Sequence, residues 1–98
     1  MFAYTPKAER QVDDLRRYYE DKDRPEAVRG LFAALADAER NIEANPASGL
    51  PAPRPYPGLT LPGRAWVKAG RYWIAYRKSQ PPTIVGVFYE SANIPARL

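Results

Sequence analysis

Two apolar stripes at helical spacing dominate the first half of the chain. The first comprises four residues that recur at intervals of four, three and four and therefore share one face of a helix: Ala8, Val12, Leu15 and Tyr19. Just before them, Thr5 is a suitable N-cap, and Pro6 stands where the first helical residue would be. The pattern predicts an amphipathic helix that begins at Pro6.

A second helix is predicted from a longer stripe: Val28, Leu31, Phe32, Leu35, Ala38 and Ile42. Asp23, with Glu26 three residues later, is expected to form a capping box beside Pro25. This helix should stop at Asn45, because Pro46 disfavours helical geometry in the residue before it. A connection of about four residues should fold the two helices into an antiparallel hairpin.

The second half changes to a period of two, which is typical of strands. One face would carry Tyr72, Ile74 and Tyr76, and the other Arg71, Trp73, Ala75 and Arg77. Gly70 marks a tight reversal from a strand over residues 64–69, and the segment 79–82 marks the next reversal, into a strand over 83–90. Three consecutive antiparallel strands form a meander, and residues 1–4 are a possible edge strand.

The segment from Ala47 to Gly63 is rich in proline and glycine and predicts a stiffened loop. Neither half of the chain can bury its apolar face alone, so the loop is interpreted as a crossover within one domain over residues 1–98. The expected fold is α+β, in the order β-α-α-β-β-β, with the helix hairpin packed on the meander. Five aromatic residues are expected in the core or under the hairpin: Trp66, Tyr72, Tyr76, Phe88 and Tyr89.

Composition restricts the chemistry. The chain has no cysteine and no histidine, which excludes disulfides, thiolate chemistry and a Ser/His/Asp or Cys/His pair. No apolar run is long enough to span a bilayer and no signal-peptide pattern is present, so a cytoplasmic protein is expected. No catalytic residue, metal site or cofactor is predicted.

Charge divides the chain into two regions. The formal net charge is +4, but Glu90 is the only acidic residue after position 46. The same region carries seven basic residues: Arg54, Arg64, Lys68, Arg71, Arg77, Lys78 and Arg97. A positive surface of this kind suits an acidic protein or a nucleic acid. Lys68, Arg71, Trp73, Arg77 and Lys78 would cluster on it if the strands pair about Gly70, the alternative being an ordinary solvated face with Trp73 partly covered by the loop.

The order of elements resembles the RelE/ParE superfamily of bacterial toxins. Three stretches carry the resemblance: Ile42–Pro46, Tyr72–Arg77 and Val87–Leu98. The last is similar to the ParE, or plasmid-stabilisation, branch, which commonly closes with a histidine, an arginine-containing turn, an aspartate and Leu-Pro. This chain has Tyr89 at the histidine position, Ser91-Ala92 in the turn and Asn93 for the aspartate.

The resemblance implies the toxin of a type II toxin–antitoxin pair that inhibits DNA gyrase by binding. Lys68, Arg71, Trp73, Arg77, Lys78 and Arg97 are the candidate target-binding residues. The implied antitoxin is ParD-like and acidic, and folds on the toxin, forming a hetero-oligomer. Its candidate contacts are Val12, Leu15, Tyr19, Leu31 and Leu35.

Two alternatives remain open from the residues. A RelE-type messenger-RNA endonuclease would use Lys68, Arg71, Arg77 and Tyr89, but Ser91-Ala92 replaces the usual late arginine. Such cleavage needs a base, an acid and charge stabilisation, and a basic cluster supplies only the last. Binding is therefore favoured over catalysis. The other alternative is a non-toxic interaction module.

Overall fold

Each apolar stripe of the first half forms a helix in the computed structural model, which describes residues 2–97. Helix α1 spans Pro6–Asp21, and the backbone N–H of Ala8 donates to Thr5 Oγ1 at 3.2 Å, as expected of an N-cap. Helix α2 spans Pro25–Ala44. The expected capping box at its start is wrong: Arg24 is the N-cap, and Asp23 lies outside the helix with φ of 53°.

Within the described residues, four strands form one mixed sheet. They are β1 (Ala3–Tyr4), β2 (Arg64–Ala69), β3 (Tyr72–Arg77) and β4 (Thr83–Tyr89), in the spatial order β1-β4-β3-β2. The meander is confirmed, with antiparallel β2–β3 and β3–β4 pairs, whereas β1 runs parallel to β4. Gly70 makes the first reversal at φ of 55°, in the left-handed region that favours glycine. Met1 of the expected edge strand lies outside the described residues.

One face of the sheet, called here the helix face, packs against α1 and α2. Tyr72, Ile74 and Tyr76 alternate along β3 and project into this core. Ile84 and Val87 of β4 join them although they are three positions apart, because the β3–β4 register shifts between Ile84 and Gly86. Leu31, Leu35 and Ala38 of α2 meet them from the helix layer, and all three are buried. The stripes therefore cover the sheet as their spacing predicts, except for Phe32, which is 46% exposed.

The opposite face, called here the loop face, holds a second apolar cluster. Its buried members are Trp66, Trp73, Ala75, Phe88 and Ile94. The proline-rich segment covers it with Leu50, Tyr56 and Leu59. Trp66 and Phe88 are in the core, as expected, but in the cluster on the loop face and not under the helix hairpin, because the alternation of each strand turns them away from the helices.

Specific contacts fix this cover. Leu50 and Trp66 exchange two backbone hydrogen bonds of 2.8 and 2.7 Å, which adds a short antiparallel bridge to the free edge of β2. The hydroxyl of Tyr56 donates to the carbonyl of Ala92 at 3.4 Å. Beyond β4, the chain forms a short helix, α3 (Ile94–Arg97), whose Ile94 is fully buried in the second cluster. The proline-rich segment and the C-terminal turn together form a second layer over the sheet.

Candidate functional site

The basic face expected from the alternation of β3 has an apolar centre. Trp73 lies on that face but is only 3% exposed, since Phe88 and the surrounding cluster pack around it. Its indole ring therefore offers no open surface on which a base or a partner side chain could stack. The basic residues of the face remain exposed only at its two ends.

At the end next to the β2–β3 turn, two cations share one carboxylate. The Nζ atom of Lys68 and the guanidinium of Arg71 each lie 3.2 Å from Glu90, one on each of its carboxylate oxygens. Lys68 also lies 5.5 Å from the centre of the Trp73 ring, and Arg54 of the loop 5.7 Å from the same centre. The hydroxyl of Tyr89 and the charge of Glu90 raise the pKa of Arg71. We call Lys68, Arg71 and Glu90 the turn-side cluster.

At the other end of this face, next to the β3–β4 connection, the basic side chains have no carboxylate partner among the described residues. Arg64 faces Arg77 across the β2–β3 pair, and the backbone N–H of Lys78 donates to the carbonyl of Gly63 at 2.9 Å. Within residues 2–97, none of these three side chains forms an ion pair. Arg77 and Lys78 are exposed and Arg64 is partly exposed. We call Arg64, Arg77 and Lys78 the basic rim.

The two groups of cations are separate. Lys68 faces Trp73, and Arg64 faces Arg77, four residues further along β2. At about 3.3 Å per residue, four residues of strand cover roughly 13 Å. The sequence placed Lys68, Arg71, Arg77 and Lys78 in one cluster, but the structure distributes them over two ends with an apolar centre between them.

A third feature is a cleft of about 880 Å³ between the ends of the helix hairpin and the sheet. Three arginines line it, namely Arg24, Arg71 and Arg97, together with four tyrosines: Tyr18, Tyr19, Tyr72 and Tyr89. We call it the arginine–tyrosine cleft. In its wall, the hydroxyls of Tyr19 and Tyr72 lie 2.5 Å apart in a buried hydrogen bond. Burial, and then this bond, raise the pKa of Tyr72.

A groove of about 450 Å³ runs between α1 and α2 on the far side of the hairpin. Its apolar wall consists of Tyr4, Val12, Phe32, Leu35 and Ala36, and Phe32 is 46% exposed. Four charged residues stand around it: Glu9, Asp13, Arg16 and Glu39. We call this the helix groove.

The five candidate antitoxin contacts occupy different places. Val12 and Leu35 line the helix groove, whereas Leu15 and Tyr19 line the arginine–tyrosine cleft. Leu31 is fully buried, and Leu35 and Tyr19 are 5% and 6% exposed. The apolar stripe of a helix packs into the protein's own core, so Leu31, Leu35 and Tyr19 are buried and present little surface to an antitoxin.

Sequence reasoning missed three residues that the structure adds. Arg64 was detectable, because a hairpin centred on Gly70 pairs it with Arg77. Phe32 was predicted only as a member of the α2 stripe, but it is 46% exposed and lines the helix groove. Arg24 lies in the connection between the helices and reaches the cleft only through the tertiary fold, so no local pattern indicates it.

Two kinds of feature are absent from residues 2–97, the part of the chain that the structure describes. No helix there combines the length and the apolar character that crossing a membrane requires. The same residues contain no group of three or more His, Cys, Asp or Glu side chains placed to hold a metal ion.

Comparison with known proteins identifies the family. No curated protein matches the sequence. The family model described as the ParE toxin of the type II toxin–antitoxin system parDE matches residues 2–90, which is most of the chain and includes α1, α2 and strands β1 to β4. The chain therefore belongs to the ParE toxin family of type II toxin–antitoxin systems.

Proposed function

We propose that this ParE-family toxin inhibits DNA gyrase by binding, and that the basic rim is its principal contact. The observation that carries the assignment is the set of three uncompensated cations at one end of the sheet, Arg64, Arg77 and Lys78. Gyrase holds DNA during its reaction, so a positive surface suits either the DNA phosphates or an acidic protein surface beside them.

The turn-side cluster is a weaker candidate for the same role. Its two cations already share Glu90, whose negative charge offsets part of their field. A target group that took the place of Glu90 would first have to break its contacts with Lys68 and Arg71. Of the predicted target-binding residues, Arg77 and Lys78 are therefore the principal contacts, Lys68, Arg71 and Arg97 are secondary, and Trp73 supports the surface from inside.

A supercoiling assay tests the target. The full chain, separated from any co-expressed antitoxin, is added to gyrase and relaxed plasmid, while a ribosome-bound message is incubated with the same sample. We expect supercoiling to stop, cleaved DNA to accumulate and the message to remain intact. Cut message with unaffected gyrase would replace this proposal by the RelE-type endonuclease.

The family implies a cognate ParD antitoxin, and we propose that part of it binds in the helix groove. The exposed ring of Phe32 and the side chain of Val12 present apolar surface there that the protein leaves partly open. Burial of such surface can offset the ordering cost of a disordered tail. Glu9 and Glu39 stand at the edge of the helix groove, so the antitoxin residues that bind there should be basic or neutral, although the antitoxin tail as a whole is expected to be acidic.

Substitution at the exposed ring distinguishes this groove. Phe32→Asp places a charge in the proposed interface without opening the core, and Ala33→Asp, at the neighbouring exposed position, is the matched control. We expect the first variant to lose antitoxin affinity at least tenfold and the second to retain it, as measured by calorimetry. Equal affinity of both variants would place the antitoxin elsewhere.

A further inference from the structure

We propose that the arginine–tyrosine cleft binds a nucleoside phosphate, either free or as one unit of a single strand. The cleft is separate from the basic rim to which the gyrase contact is assigned, because Arg64, Arg77 and Lys78 do not line it. Its volume of about 880 Å³ falls in the range of roughly 300–1,000 Å³ that is usual for small-ligand sites. A neighbouring space of about 610 Å³ shares Tyr18, Tyr89 and Arg97 with it, so there is room for a ligand longer than one unit.

The charge of the cleft suits a phosphate. Arg24, Arg71 and Arg97 come from three separate parts of the chain, yet all line the same space, where Glu26 is the only acidic lining residue described. Glu26 contacts Arg24 at 3.5 Å and offsets one positive charge. Arg71 contacts Glu90 through Nη1 and its side chain is 73% exposed, so its other guanidinium N–H groups can reach a ligand while the contact with Glu90 stays in place. Guanidinium groups bind phosphate oxygens with two parallel hydrogen bonds.

The aromatic residues favour a base next to that phosphate. Tyr18 is 56% exposed on the surface of α1, and Tyr89 is partly exposed at the end of β4. Tyr72 supports Tyr89 from behind, with ring centres 5.6 Å apart in an edge-to-face arrangement. The ammonium of Lys22 lies 5.7 Å from the centre of the Tyr18 ring and would have to leave that face, or remain on the opposite side, for a base to stack there. Exposed aromatic rings beside arginines are the combination on which nucleic-acid bases stack. A phosphate alone, or a carboxylate-rich peptide, would leave these rings without a matching partner.

The first experiment measures binding to the full chain in the absence of gyrase, so its result does not depend on the proposed target. The probes are AMP and a fluorescently labelled single-stranded dT8, with inorganic phosphate as the competitor. The variant Arg24→Gln/Arg97→Gln removes two cations from the cleft. The control Arg10→Gln/Arg40→Gln removes the same charge from exposed helix positions that line none of the described cavities.

We expect the cleft variant to bind at least tenfold more weakly and the control to remain within about threefold of the original chain. For dT8, loss of two phosphate contacts should reduce the slope of log affinity against log salt by about 1.4. Tyr18→Leu should weaken binding about tenfold, while Tyr18→Phe, which keeps the ring, should retain it. If the cleft variant binds both probes more weakly, the cleft recognises the nucleoside phosphate that AMP and dT8 share. If only dT8 binding is weakened, the ligand is a single strand, and if only AMP binding is weakened, it is a free nucleotide.

Three results would overturn the proposal. The first is absence of binding of both probes to a chain that circular dichroism shows to be folded. The second is equal weakening by the cleft and control variants, since that would reduce the effect to net charge. The third is competition by inorganic phosphate as effective as that by AMP, because it would exclude a role for the base.

Discussion

The two faces of the sheet are both buried, but by different means. On the helix face, amphipathic helices place regular stripes over Ile74 and Tyr76. On the loop face, a proline-rich segment and a C-terminal turn cover Trp66, Trp73 and Phe88 without any regular period. The comparison shows that one face of a strand can be apolar and buried at its centre, as at Trp73 and Ala75, while charged residues of the same alternating pattern stay exposed at its two ends.

The largest expected effect comes from removing an aromatic ring from the loop face. Trp73→Ala should lower the free energy of unfolding by about 3–5 kcal/mol, and Ile74→Ala on the helix face by about 2–5 kcal/mol, because each leaves a cavity in a packed cluster. Urea denaturation of both variants measures the two losses. If Trp73→Ala cost less than about 1 kcal/mol, the loop face would be a lightly covered surface rather than a second core.

Sequence reasoning recovered the helix face more fully than the loop face for a physical reason. Helical periodicity identified α1 and α2, and Gly70 located the hairpin, because these signals are local. The contact of Tyr56 with Ala92 joins residues 36 positions apart and carries no periodic signal. The alternation of β3 placed Trp73 and Arg77 correctly on one face, and cover of Trp73 by the loop was one of two alternatives. Alternation alone could not decide between that cover and an open basic cluster, because it carries no signal from the distant loop.

The next effect concerns how closely the loop packs. A Cβ atom added at Gly49 would overlap the hydroxyl of Tyr76 and lie 2.7 Å from Ala65 Cβ. Gly49→Ala should therefore cost about 1–3 kcal/mol of stability, as overpacking does. The control is Gly58→Ala in the same segment, where the added atom meets nothing within 4 Å. Thermal melts of the two variants should differ clearly, and equal melting temperatures would show that the segment adjusts freely.

A smaller change in the free energy of unfolding is expected at alkaline pH, and it comes from tyrosines on the helix face. Burial raises the pKa of Tyr4, Tyr72 and Tyr76 above the ordinary value of about 10. The folded state then holds these protons more tightly than the unfolded state does. Their contribution to stability is therefore complete below about pH 10 and declines as the pH rises above it.

Urea titrations at pH 8 and pH 11 measure this decline, and Tyr72→Phe should reduce it. Removal of that hydroxyl also leaves Tyr19 without its partner, which should cost about 1–3 kcal/mol at pH 8. The ultraviolet absorbance of tyrosinate provides an independent check. Ionisation of all seven tyrosines near pH 10 in the folded chain would contradict the burial of these hydroxyls.

The central claim, that the cations displaced to one end of the loop face contact gyrase, is tested most directly by charge reversal in the supercoiling assay. Arg77→Glu/Lys78→Glu alters the basic rim, and Arg10→Glu/Arg40→Glu makes the same change in net charge on the helices. With both variants folded, we predict at least a tenfold higher concentration for half-inhibition in the first and a near-original value in the second. Unchanged inhibition by the basic-rim variant would contradict the account.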